Sequence, residues 1–122
     1  MTPDPERSPK LVQGYGDGGF RISGQRYEGS LIVLPSIVHA WPIGSISEVT
    51  AESLIQVSEA DDPIDILLIG SGHGVPRIDE AVRNVLRPRG IVTDVMDTGA
   101  ACRTFNLLVA DARRVAAAMI AV

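Results

Sequence analysis

One cysteine, two histidines and only 4% aromatic residues set the first limits on this 122-residue chain. With Cys102 alone there is no internal disulfide, which suits a reducing compartment, so the cytoplasm is the expected location. Lysine and arginine number 11 against 15 aspartates and glutamates, a formal net charge of -4, and no basic stripe breaks that balance. Such a surface has no excess charge with which to neutralise phosphates, so nucleic acid is not an expected partner. No apolar run is long enough to span a bilayer, and Met1-Thr2-Pro3-Asp4-Pro5-Glu6-Arg7-Ser8-Pro9 lacks the apolar core of a signal peptide. Any membrane role would be peripheral. Two lone histidines and one cysteine form no ligand pair at helical or knuckle spacing, so neither a metal nor any other cofactor is expected.

What is present is the composition of an ordinary globular protein, 45% hydrophobic, at a length that fits one domain with one core. The chain divides at about residue 13: residues 1–13, with three prolines and alternating charges, read as a mobile tail, and residues 14–122 as a single α/β domain. The domain opens on a glycine-rich stretch at residues 14–19. Phe20-Arg21-Ile22 reads as a short strand, Ser23-Gly24-Gln25 as a turn and residues 26–34 as a longer strand with Gly29 at a bulge or bend, together a β-hairpin. Residues 37–43 are a further extended piece whose Trp41-Pro42 favours a sheet edge. Trp41 reads either as a core plug or as an anchor for a partner, and the scarcity of other aromatics favours the core.

From Thr50 onward the rhythm changes. Thr50 can cap a helix running to about Glu59, with Val49 and Leu54 at the spacing of a hydrophobic staple. The apolar run Ile64-Asp65-Ile66-Leu67-Leu68-Ile69, bounded by Pro63 and Gly70, reads as a strand buried on both faces. The helix after it places Ile78, Val82, Val85 and Leu86 on one face and Asp79 four residues before Arg83 on another, with Pro88 and Gly90 closing it. Residues 91–96 are strand-like, and Thr98 can cap a third helix in which Ala101, Phe105, Leu108 and Ala112 share a face. Residues 114–122 are alanine-rich, which favours helix, but the alternation of strand and helix makes a strand the natural reading and predicts a parallel β-α-β-α-β core preceded by the hairpin.

Three places interrupt the structural pattern. Gly70-Ser71-Gly72-His73-Gly74 follows a buried strand and precedes a helix, the context of a phosphate-binding turn, yet Val75 stands where the dinucleotide fingerprint wants a third glycine and the phosphate-loop lysine is absent. The plain alternative is a flexible strand-to-helix turn. Cys102, near Arg103 in the first turns of the third helix, would have a lowered thiol pKa if exposed, but a lone cysteine beside an apolar face is more often a small core residue. Asp97, Thr98, Arg103 and Asn106 form a polar cluster at a strand end, read either as a recognition surface or as a solvated helix start. No base is placed by sequence beside Cys102, so no catalytic set is complete.

Gly19-Phe20-Arg21-Ile22-Ser23-Gly24, Gly29-Ser30-Leu31-Ile32-Val33-Leu34-Pro35, Trp41, Ile69-Gly70-Ser71-Gly72 and Met96-Asp97-Thr98-Gly99-Ala100-Ala101-Cys102-Arg103-Thr104-Phe105-Asn106 carry a resemblance. In these segments the chain resembles the domain-of-unknown-function 498 family, which includes a mitochondrial complex I assembly factor. The resemblance implies a compact three-layer α/β fold with a projecting hairpin and a C-terminal strand, and a non-enzymatic history. The expected function is therefore a protein-binding module of unknown partner, an assembly-factor role for a membrane-associated complex being the form the resemblance implies. The alternative is a small-molecule or nucleotide-binding protein using the loop at residues 70–74 and the helix start at Cys102. The binding candidates are Asp97, Thr98, Cys102, Arg103, Asn106, Gly70, Gly72 and His73, with no catalytic and no metal-binding residue among them.

Overall fold

The computed structural model describes residues 9–122, so the expected tail falls largely outside the described residues. Two sheets organise them. The first is an antiparallel meander of β1 (Val12–Gly16), β2 (Gly19–Ile22) and β3 (Gln25–Glu28). Its two turns, at residues 17–18 and 23–24, hold both central residues at positive φ, the geometry that matches the twist of paired strands. The glycine-rich stretch is thus partly a strand, and the expected hairpin is three strands rather than two.

The expected single strand over residues 26–34 is two. Gly29, at φ +82°, turns the chain out of β3 and into β4 (Leu31–Val33), which belongs to the second sheet. That sheet has five strands in the order β5-β4-β8-β6-β7, completed by β5 (Val38–Ala40), β6 (Ile66–Gly70), β7 (Val92–Met96) and β8 (Val115–Met119). β6 pairs in parallel with both β7 and β8, while β4 is antiparallel to β5 and β8. The β-α-β-α-β core is therefore present, and β5, ahead of Pro42, lies at an edge.

β8 occupies the centre. Ala116, Ala117 and Ala118 are fully buried, with Val115 and Met119 at either end, and both flanking strands bond to it. Tertiary burial here overrides alanine's helical preference, because small side chains let elements approach a central strand closely on both faces. Along the sheet the side chains alternate between two cores. Ile32, Leu67, Ile69, Ala116 and Ala118 pack with Trp41, Leu54, Val57, Val82 and Leu86. Leu31, Val33, Leu68, Ala117 and Met119 pack with Phe20, Ile22, Ala101, Cys102 and Phe105.

The helices are shorter than their sequence spans suggest. Thr50 accepts the Ser53 amide at 3.1 Å while Ser53 Oγ accepts the Thr50 amide at 3.0 Å, a reciprocal cap. Beyond this cap lie a 3₁₀ turn at Glu52–Leu54 and one turn of α1 (Ile55–Ser58). Helix α2 (Glu80–Leu86) buries Val82 and Leu86 but leaves Val85 exposed, because two turns present only one narrow stripe to the sheet. Asp79 does not pair with Arg83; its carboxylate caps the Ala81 amide at 3.0 Å, and Arg83 turns to Glu80 and to the Thr93 carbonyl. Helix α3 (Thr98–Ala110) buries Ala101 and Phe105 as expected, with Leu108 packed against them, whereas Ala112 lies beyond its end at φ +56° and is exposed. Among the described residues no helix is long and apolar enough to cross a membrane.

Candidate functional site

The candidates gather where the parallel strands end. Gly70 closes β6 in register with Met96 on one side and Met119 on the other, so the glycine loop, the start of α3 and the exit of β8 meet there. Open α/β sheets bind ligands in this crevice. In this protein hydrogen bonds within the chain link the segments around it. Ile120 leaves β8 and donates its amide to the Gly70 carbonyl at 3.0 Å, and the Ser71 amide reaches the Met96 carbonyl at 2.8 Å.

Thr98 ties the three segments together. It is fully buried, its hydroxyl donates to the Ile120 carbonyl at 2.7 Å, and the same oxygen accepts the Gly72 amide at 2.8 Å. It is not the cap of α3. Asp97 holds that place, its carboxylate accepting the Ala100 amide at 2.9 Å, because the Thr98 hydroxyl is committed inward.

The glycines serve this packing. A Cβ on Gly70 would lie 3.0 Å from Thr98 Oγ1 and 3.1 Å from Thr98 Cα, and Gly72 sits at φ +70° against Ile120. The helix after the loop begins only at Glu80, so the loop does not run straight into a helix as a phosphate turn does. His73 is exposed on the loop.

Cys102, further along α3 from Thr98, is 2% exposed, its sulfur 3.5 Å from Met119 Sδ. Burial pushes its thiol up to about 12, with the charge of Arg103 opposing and that of Asp97 adding to the shift. A thiol held this way is not a nucleophile at neutral pH. Asn106 forms a two-way clamp on β1: its Oδ1 accepts the Val12 amide at 2.9 Å and its Nδ2 donates to the Val12 carbonyl at 2.7 Å. Arg103 is exposed and donates at 3.3 Å to the hydroxyl of Tyr15, on the same strand. The polar cluster therefore binds the first sheet to α3. Trp41 is buried, its Nε1 donating to the Ser53 carbonyl at 2.7 Å.

Two contributors escape the sequence pattern. Tyr15 receives Arg103, and Ser30 joins the two sheets' neighbourhood to the chain after β8 by donating to the Ile43 carbonyl at 2.6 Å and accepting the Ala121 amide at 2.9 Å. Ser30 stands alone between Gly29 and an apolar run, and that isolation is its one sequence signal. Among the described residues no group of three or more His, Cys, Asp or Glu side chains is placed to hold a metal ion.

Fold and site define a mixed α/β domain whose strand-end crevice is closed by its own chain. The chain belongs to the family of proteins of unknown function DUF498/DUF598, which it matches over residues 12–120. It is 36% identical over 110 residues to NADH dehydrogenase [ubiquinone] 1 alpha subcomplex assembly factor 3 of Xenopus tropicalis, covering 90% of this chain and 60% of that protein. The chain thus spans about three fifths of the length of the curated relatives it matches first. A crystal structure described as an outer membrane protein from Bartonella henselae is similar at 38% identity and a TM-score of 0.86, covering 94% of this chain and 97% of that one. The Rpa2829 protein from Rhodopseudomonas palustris is similar at 37% identity and a TM-score of 0.81, covering 100% of this chain and 90% of that one.

Proposed function

We propose that this chain is a non-enzymatic protein-binding module with an assembly-factor role for a membrane-associated complex. The observation that carries the reading is the likeness, across 90% of the chain, to relatives named as assembly factors of NADH dehydrogenase. The site geometry is consistent with it. Thr98, Cys102 and Asn106 direct their polar atoms inward to other parts of the chain, so they serve architecture. Arg103 is exposed on the flank of α3 and is the candidate with a guanidinium to offer a partner.

The test is affinity purification of the tagged chain at its native expression level, with mass spectrometry of what accompanies it. A protein co-isolated in stoichiometric amount is expected, and Arg103→Ala should weaken that capture while changing stability by no more than about 1 kcal/mol. A chain isolated alone, and stabilised in thermal shift by nucleotides instead, would replace this reading with the small-molecule one.

A further inference from the structure

We propose that the open edge of β5, with the cleft between β5 and α1, docks a short, extended, basic segment of a partner protein. This rests on the protein-binding reading and adds to it a place and a partner chemistry.

A sheet edge exposes a row of unpaired amides and carbonyls, and proteins either cover it or use it. The five-stranded sheet has two edges, and they differ. At β7 the Arg83 guanidinium lies on the outward Thr93 carbonyl at 2.6 Å, occupying the ladder position a newcomer would need. At β5 nothing comparable is found among the described residues. Its pairing with β4 joins Ile32 to His39, with the Leu34 amide on the Ile37 carbonyl at 2.8 Å and the Trp41 amide on the Ser30 carbonyl at 2.9 Å. The alternation of an antiparallel ladder then turns the backbone groups of Ile37, His39 and Trp41 toward β4 and those of Val38 and Ala40 outward. Pro35 and Pro42 bracket the strand, so only a short pairing fits.

The cleft beside this edge has a volume of about 360 Å³ and a lining of mixed apolar and polar side chains. Ile37 from the β5 side and Ile55 from α1 both line it and are each 47% exposed. Glu59, Asp61 and Asp62 line it too, and among the described residues no lysine or arginine does. Ser36 Oγ donates to Asp62 Oδ2 at 2.6 Å, which fixes that carboxylate at the rim. Ile37 and His39 both face the cleft, so every second side chain of a strand added to β5 hangs over it. Those side chains meet both isoleucine and carboxylates, a match for a segment that alternates aliphatic residues with lysine or arginine. A second copy of this chain fits worse, since it would bring its own Glu59, Asp61 and Asp62 against these.

The experiment is an NMR titration of the isotope-labelled chain with a short peptide alternating valine and lysine, and with its valine–glutamate counterpart. The valine–lysine peptide should shift and slow the exchange of the Val38 and Ala40 amides, and the glutamate peptide should not. Ala40→Pro, which removes an outward amide but no bond to β4, should weaken binding by about tenfold or more. The pair Glu59→Lys and Asp61→Lys, which leaves the strand untouched, should also weaken it, with an unchanged melting temperature. Shifts centred elsewhere, binding indifferent to both sets of variants, or a concentration-dependent dimer that Ala40→Pro abolishes would overturn the proposal. The two readings fail separately. A co-isolated partner retained at full yield by both sets of variants removes the β5 surface and leaves the protein-binding module. Peptide binding at β5 by a chain that co-isolates with no protein keeps the surface and removes the assembly role.

Discussion

Replacing Thr98 by valine keeps the shape of a fully buried side chain and deletes one oxygen, so its cost measures what that oxygen holds together. The hydroxyl gives one bond to the Ile120 carbonyl and receives one from the Gly72 amide, both in a buried setting. Each bond is worth about 1 kcal/mol net, and leaving a buried amide without an acceptor adds about 1–3 kcal/mol. Thr98→Val should therefore destabilise by roughly 3–5 kcal/mol, which for a domain of this size lowers the melting temperature by roughly 12–20 °C. Thr98→Ser keeps the oxygen and loses a methyl, at a cost of about 1 kcal/mol. Urea denaturation of the two variants, with equal slopes, gives the comparison, and amide exchange at Gly72 localises it: the Gly72 amide should lose protection in the valine variant and keep most of it in the serine variant. A valine variant as stable as the parent, or a serine variant worse than the valine one, would refute the inference that this hydroxyl ties the loop, the helix start and the exit of β8.

The Asn106 clamp predicts that Asn106→Ala destabilises by about 1.5–3 kcal/mol and opens the Val12 amide to exchange, whereas a change below about 0.5 kcal/mol would show that β1 is held by apolar contacts alone. The buried thiol predicts a loss of stability at alkaline pH. Cys102 stays protonated in the native chain up to about 12 but ionises from its ordinary value of 9.0 once unfolded, so the unfolded state binds fewer protons between those values and stability falls as pH rises. Across that window the parent should lose about 1.4 kcal/mol per pH unit more than Cys102→Ala, and fast thiol labelling of the native chain at neutral pH would contradict the burial.

Much of the core was legible because burial writes itself into short apolar runs. Ile66-Leu67-Leu68-Ile69 and the alanine-rich β8 are strands since βαβ alternation leaves a strand nowhere else to go, and both are interior to the sheet. The break at Gly29 was less visible, though a signal existed. Gln25-Arg26-Tyr27-Glu28 is polar and Leu31-Ile32-Val33-Leu34 wholly apolar, and one strand cannot face solvent over one half and be buried on both faces over the other. The cap of α3 was not decidable locally. Asp97 and Thr98 are both good capping residues, and what separates them is that the Gly72 amide and the Ile120 carbonyl, each more than twenty positions away, reach Thr98. The Asn106 clamp spans 94 positions and leaves no local trace at all.

Polar residues that interrupt an apolar pattern in a small domain have two explanations, a ligand outside or a partner within the chain, and the direction of their hydrogen bonds decides between them. At Thr98 and Asn106 the bonds close on the chain's own backbone, and at Gly70 the carbonyl accepts the Ile120 amide. The residues after β8 go on to close the region: the Ala121 amide reaches Ser30, and the Val122 carbonyl accepts the Gly18 amide at 2.8 Å, so the strand ends are covered by chain that also joins the two sheets. A crevice closed in this way costs several buried bonds to reopen, more than a weakly held ligand returns. Recognition is then best sought on surfaces that need no rearrangement, which are the arginine flank of α3 and the β5 edge, where Val38 and Ala40 already present the backbone groups that a partner strand requires.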